Sequence, residues 1–316
     1  MKKVVELIKK TFKEWSEDKA SRLAAALAYY TVFSIPPLLV VALGIASYFT
    51  DRQVVENQLL NQAGSLMGSQ GAEAIETILE SAESPGGGEL LPTLIGVALL
   101  IFGASGVFTQ LQDAMNTIWN VEADPNRGIW GAIKERFLSF TMVLAIGFIL
   151  LVSLMLSTLL TTFGDFVGNM VSDATILLWI VNFVISFGIY ALFFALIFKT
   201  IPDVDIAWRD VGIGAVLTAV LFKIGEYALG VYFERSDPTS SFGAAGSVIL
   251  LLLWVYYSVQ ILFLGAEFTQ VYATEYGSGI RPERGAVVLT EEAKAKQGIP
   301  SEENIAEEKA RQTNRS

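Results

Sequence analysis

Along this chain the apolar positions fall in long runs separated by short polar stretches, with little of the alternation that marks half-buried strands. Six runs are long enough to cross a bilayer, since about 20 apolar residues at 1.5 Å rise span roughly 30 Å of hydrocarbon. They cover residues 23–49, 90–108, 137–163, 174–198, 211–233 and 243–272. The pattern predicts an all-α, polytopic membrane protein with six transmembrane helices in a domain over residues 21–272.

Outside the runs the polarity is periodic in places. Residues 1–20 put Val4, Ile8, Phe12 and Trp15 on one helical face, with Lys2, Lys9, Lys10, Lys13 and Glu17 opposite. Such a face suits an amphipathic helix at the membrane interface, and it equally suits a helix docked on the protein itself. Residues 51–89 form a polar, helical connection that is expected to cap the outer face. After the second run, Leu111, Met115, Ile118 and Trp119 keep to one face, so that helix should continue past the membrane. Residues 273–316, with eight Glu against seven Lys or Arg, are expected to be a disordered tail.

Within the runs, three features interrupt the apolar character. Pro36-Pro37 removes two backbone donors and is expected to kink or break the first span at Ile35. Gly103-Ala104-Ser105-Gly106 would let another backbone approach closely. The fifth run carries Lys223 and Glu226, which is costly inside a membrane and points to a retained role. If Asp210 lies at the inner surface, Lys223 is about 20 Å and Glu226 about 24 Å up the helix, near the level of Asn182 on the antiparallel fourth run. These groups line a polar site for an amphiphile head or a coupled ion, or else Lys223 and Glu226 are a self-neutralising pair that only fixes packing. Gln260 and Glu267 fall toward the other end of the membrane and are not expected to reach Lys223.

Composition narrows the chemistry. The 316 residues are 53% hydrophobic and 17% charged, with no cysteine and no histidine. Thiolate chemistry, disulfides, Cys- or His-based metal sites and imidazole catalysis are therefore excluded, and no cofactor or enzymatic activity is expected. The net charge is −10 and no basic stripe is available for phosphates, which excludes a nucleic-acid partner and leaves membrane lipids as the expected one. There is no Walker-type loop. The lysines and arginines set the orientation. Seven precede the first run, and the successive connections hold one (Arg52), three (Arg127, Lys134, Arg136), none, two (Lys199, Arg209) and one (Arg235), with seven more in the tail. The positive-inside rule then places both termini in the cytoplasm.

Several segments, taken in order, resemble the YihY/BrkB family of bacterial inner-membrane proteins. They are Ala24-Ala25-Ala26-Leu27-Ala28-Tyr29-Tyr30 leading to Ser34-Ile35-Pro36-Pro37, then Asn116-Thr117-Ile118-Trp119 and Trp208-Arg209-Asp210. The intramembrane Lys223, Ser240-Ser241-Phe242-Gly243, Trp254-Val255-Tyr256 and Gly265-Ala266-Glu267 follow. The family positions matched are thus Pro36, Trp119, Arg209, Gly243, Trp254, Tyr256, Gly265 and Glu267. Phe242 departs from the family's usual Tyr. The resemblance, over roughly residues 20–275, implies a six-helix protein of the cytoplasmic membrane. It is compatible with a transporter or translocator of an envelope lipid or similar amphiphile, or with a non-transporting scaffold. A membrane-associated hydrolase, the third reading, finds no carboxylate cluster suited to Mg²⁺ and no histidine here.

Overall fold

The computed structural model describes residues 2–46, 51–82, 106–124, 175–236 and 246–299. The runs at 90–108 and 137–163 lie almost wholly outside these residues, as does Gly103-Ala104-Ser105. Of the six expected spans, three described helices are long and apolar enough to cross a membrane, at Phe183–Thr200, Trp208–Phe233 and Gly246–Glu275.

The chain begins with α1 (Lys2–Glu17) and, after a joint at Asp18-Lys19 in which Lys19 takes φ 53°, continues as α2 (Ala20–Ala46). Ala20, Ala24, Leu27, Ala28 and Val32 form the buried stripe of α2, their i, i+4, i+7, i+8 spacing being that of one helical face. The expected break at Ile35 is absent, because α2 runs through Pro36-Pro37. Proline's fixed φ is itself helical, so the cost is confined to two missing donors and local crowding, roughly 3 kcal/mol per interior proline. The small-residue stripe, which lets α2 pack closely on a neighbouring helix, offsets that cost.

Residues 51–82 fold as a helical hairpin, α3 (Arg52–Met67) and α4 (Ser69–Ala82), with the carboxylate of Asp51 capping α3 by accepting from the Gln53 amide at 3.0 Å. Gly68 makes the reversal at φ 77°, a conformation that favours glycine. Helical residues 106–118 (α5) lead into β1 (Val121–Ala123); Met115, Ile118 and Trp119 of the expected face are buried, but so are Ala114, Asn116 and Thr117 between and beside them, while Leu111 is half-buried, so this stretch is enclosed on all sides and not along one face. Next come α6 (Thr175–Thr200), β2 (Val204–Asp205), α7 (Trp208–Ser236) and α8 (Gly246–Glu275). The chain then passes through β3 (Arg281–Pro282), β4 (Ala286–Val288) and the short α9 (Glu291–Lys296).

Helix α8 is the axis of the described structure, packing against α1, α2, α4 and α7, while α6 covers the other side of α7. Trp254 of α8 donates its indole N–H to the Leu66 carbonyl at 3.2 Å. Trp254 is eight residues into α8, so the α3–α4 turn reaches about 12 Å along that helix instead of resting on its end.

At the far end of α8 the chain contradicts the expectation of a disordered tail from residue 273. Residues 273–299 are ordered: β4 pairs antiparallel with β1, Val121 opposite Val288, and β3 pairs with β2, Val204 opposite Pro282. Leu289 and Ile299 are buried, and the Gln297 carbonyl accepts from Arg22 at 2.6 Å. The segment has few apolar side chains because its folding draws on backbone pairing with strand edges, which composition does not register. Residues 300–316 lie outside the described structure.

Polar side chains fasten this end. Asn116 donates to the Asp203 carboxylate and accepts from the Asp203 amide, both at 2.8 Å. The buried Asp210 carboxylate, in the first turn of α7, accepts from both the amide and the hydroxyl of Ser278 at 2.8 Å. A side chain at Gly277 would strike that carboxylate, so the turn after α8 requires a bare backbone there.

Candidate functional site

Two ionisable groupings lie within or against the candidate spans. The first is on α7, where Lys223 Nζ meets Glu226 Oε2 at 2.9 Å, an i, i+3 pair on one helical face. The Lys223 ammonium also stands 4.5 Å from the centroid of the Tyr190 ring on α6, an attractive cation–π arrangement. That ring in turn packs at 5.4 Å on Phe222, whose ring meets the indole of Trp254 at 6.4 Å. The aromatic chain thus runs from α6 across α7 to α8. Gly225, between the two charged residues, faces the opposite way and is covered by Tyr257 and Ile261 of α8. The pair is therefore carried on the α6 side of α7, and its side chains keep 32% and 16% of their exposure.

Sequence reasoning placed Asn182 at the Lys223 level. Its side chain lies outside the described residues. The ring that meets Lys223 belongs to Tyr190, eight residues and about 12 Å nearer the C-terminal end of α6. Tyr190 was missed because a tyrosine among phenylalanines and leucines reads as part of the apolar wall. A helical lysine leans back toward its own N-terminus, so a partner nearer that end of the bundle could have been anticipated.

The second grouping is a pair of carboxylates at the joint between α1 and α2. Glu267 of α8 is completely buried, and neither of its oxygens has a hydrogen-bond partner among the described residues. Asp18, also buried, leaves Oδ2 without one, and the two acids are close enough to repel. Burial pushes the Asp18 carboxyl up to about 7, opposed by Lys294 of α9 and reinforced by Glu14 and Glu17 of α1. Glu267 lies two residues beyond Gly265, which packs on Thr218 of α7. Asp18, which the sequence hides among lysines, was not anticipated as its neighbour.

The family-motif positions serve packing and fastening more than one shared centre. Trp119 is fully buried with its indole N–H unpartnered among the described residues, Pro36 and Tyr256 are half-buried, and Arg209 is exposed. Gly265 carries the Thr218 side chain of α7, and Trp254 holds the α3–α4 turn. Gly243, with the neighbouring Phe242, lies outside the described residues. Among the described residues there is no group of three acidic side chains able to hold a metal ion.

Long apolar helices carrying a paired charge within their length define a helical membrane protein. The chain belongs to the virulence factor BrkB family, whose pattern matches residues 11–288. It is similar to a UPF0761 membrane protein of Stenotrophomonas maltophilia strain K279a, with 28% identity over 259 residues, 81% of this chain and 58% of the relative. A UPF0761 membrane protein of Pseudomonas aeruginosa strain LESB58 is 28% identical over 250 residues, 79% of this chain and 58% of its own length. One from Saccharophagus degradans is 28% identical over 266 residues, 83% and 58% respectively. The chain therefore spans less than two thirds of these relatives' length. No solved structure matches it.

Proposed function

We propose that this protein is a six-span carrier of a bacterial cytoplasmic membrane, with both termini inside, that moves or accommodates an envelope lipid or similar amphiphile. It binds the polar head at Lys223 and Glu226 and performs no covalent chemistry. The observation that carries the reading is the half-open ion pair in the middle of α7, with Lys223 held over Tyr190 at 4.5 Å and still 32% exposed. A lysine at mid-membrane costs about 2.5–3.5 kcal/mol on insertion scales, and a purely structural pair would gain by being sealed. Left accessible, the ammonium can exchange Glu226 for an anionic headgroup without being stripped of a partner at any stage. The lysine and arginine asymmetry of the connections supports the orientation.

The test is reconstitution of the purified protein into liposomes and measurement of fluorescent-lipid translocation. Lys223→Met is expected to abolish translocation. The double change Lys223→Met with Glu226→Gln should restore stability without restoring translocation. A second reading, in which the pair only fixes packing, is favoured by its self-neutralising i, i+3 geometry. It predicts that the double variant is as active as the native protein, and that result would remove the carrier site. Orientation is tested separately by cysteine labelling, which the cysteine-free chain makes simple. An impermeant reagent should reach Ser69→Cys and Asp237→Cys from outside, but not Asn126→Cys or Ser301→Cys.

A further inference from the structure

The two readings of the N-terminal helix, docked on the protein or lying on the membrane, turn out to use different flanks of α1. Leu7 and Thr11 are buried on the flank that packs against α8, and Asp18 continues the same line into the joint with α2. The adjacent flank is apolar and uncovered: Val4 is 59% exposed, Val5 51%, Ile8 46% and Phe12 54%. Beyond it, on the side away from α8, stand Lys2, Lys9 and Lys13, all exposed. Lys10 lies on the opposite border of the docking flank and pairs with Glu275, the last residue of α8.

That last contact sets the level of α1. Glu275 ends a candidate membrane span, so an α1 tied to it lies where the span leaves the hydrocarbon. Four uncovered apolar side chains at that level, bordered by lysines, match a monolayer of anionic lipid in both halves. The acyl boundary takes the apolar flank and the headgroups take the cations. We propose that α1 is a fixed interfacial anchor. Its Leu7–Thr11 flank is clamped on α8, its Val4, Val5, Ile8 and Phe12 flank is sunk in the adjoining leaflet, and Lys2, Lys9 and Lys13 engage anionic headgroups. The inference is independent of whether Lys223 carries a substrate.

The experiment uses the full-length protein in nanodiscs containing anionic lipid and acyl-chain nitroxide lipid, with an environment-sensitive fluorophore on single cysteines. Ile8→Cys and Phe12→Cys labels are expected to emit to the blue and to be quenched by the nitroxide. A Glu6→Cys label should behave as in water. Quenching at Ile8 should grow with the anionic-lipid fraction, and replacing Lys2, Lys9 and Lys13 by Gln should make it flat. Water-like emission at Ile8 and Phe12 would overturn the proposal. So would shielding of both labels without nitroxide quenching, which would show protein on this flank. Quenching that ignores the anionic fraction in the native sequence would overturn the headgroup assignment.

Discussion

Thr218 of α7 lies directly on the backbone of Gly265 in α8, and a methyl group at Gly265 would overlap its hydroxyl, Cβ and Cγ2. The relation is returned by Thr269 of α8, which lies on Gly214 of α7. Each threonine hydroxyl donates to the carbonyl four residues back on its own helix, Thr218 to Gly214 at 2.7 Å and Thr269 to Gly265 at 2.6 Å. Two Gly-x-x-x-Thr segments thus interlock with both hydroxyls satisfied inside the seam. In hydrocarbon, where apolar burial does not drive helices together, such close approach and dispersion contact supply the association. Gly265→Ala and Gly214→Ala should each destabilise the fold by about 1–3 kcal/mol, the usual cost of overpacking. The check is the thermal unfolding midpoint in detergent, and an unchanged midpoint for both would show that the seam is looser than this geometry.

The ion pair on α7 gives a second, independent prediction. Lys223→Met leaves Glu226 as a partly buried carboxylate without its cation and should lower stability by more than Glu226→Gln with Lys223→Met together. Tyr190→Phe keeps the ring under the ammonium and should change little, whereas Tyr190→Leu removes it at a cost of about 0.5–2 kcal/mol. Unfolding of the four variants under one detergent condition tests the ordering.

How far these features could be read from the sequence depended on what each one is made of. Lys223 and Glu226 were legible because a charge in an apolar run stands out whatever surrounds it. Tyr190 was not, since its use lies in a ring face that only the packing of α6 on α7 aims at Lys223. Pro36-Pro37 does not break α2, because a local rule about missing donors takes no account of the helices packed around it. The pairing of Asp18 with Glu267 joins positions almost the whole domain apart, and no spacing rule connects them. The end of the chain was misread for a related reason: β3 and β4 are ordered by backbone bonds to β2 and β1, which an inventory of side chains does not contain.

The ordered end therefore has a mechanical consequence. Truncation after residue 279 removes the partners of β1 and β2 and the buried Leu289 and Ile299, each worth about 1.5–3 kcal/mol of apolar burial. It should yield protein that is no longer monodisperse in detergent. Truncation after residue 299 keeps all the described contacts and should remain monodisperse. Equal behaviour of the two truncations would mean that the strand pairs contribute nothing to the fold.

Asp18 makes stability depend on pH in the direction opposite to a salt-bridged acid. Its carboxyl is raised from 3.8 to about 7 in the folded protein, so between those values the folded state holds a proton that the unfolded state has lost. Stability from this group is greatest below about pH 4 and falls as pH rises toward 7, by at most about 4 kcal/mol at 1.36 kcal/mol per unit. The groups that face it are Glu14 and Glu17 from α1, Glu267 from α8 and Lys294 from α9, and only the lysine favours the charged form. Asp18→Asn should therefore flatten the decline between pH 4 and 7, while Lys294→Gln should carry it on above pH 7 by removing the one opposing cation. Unfolding midpoints across that range and just above it, for the native protein and the two variants, decide the matter. A native midpoint that rises from pH 4 to 7, or an Asp18→Asn profile that parallels the native one, would show that Asp18 is charged throughout.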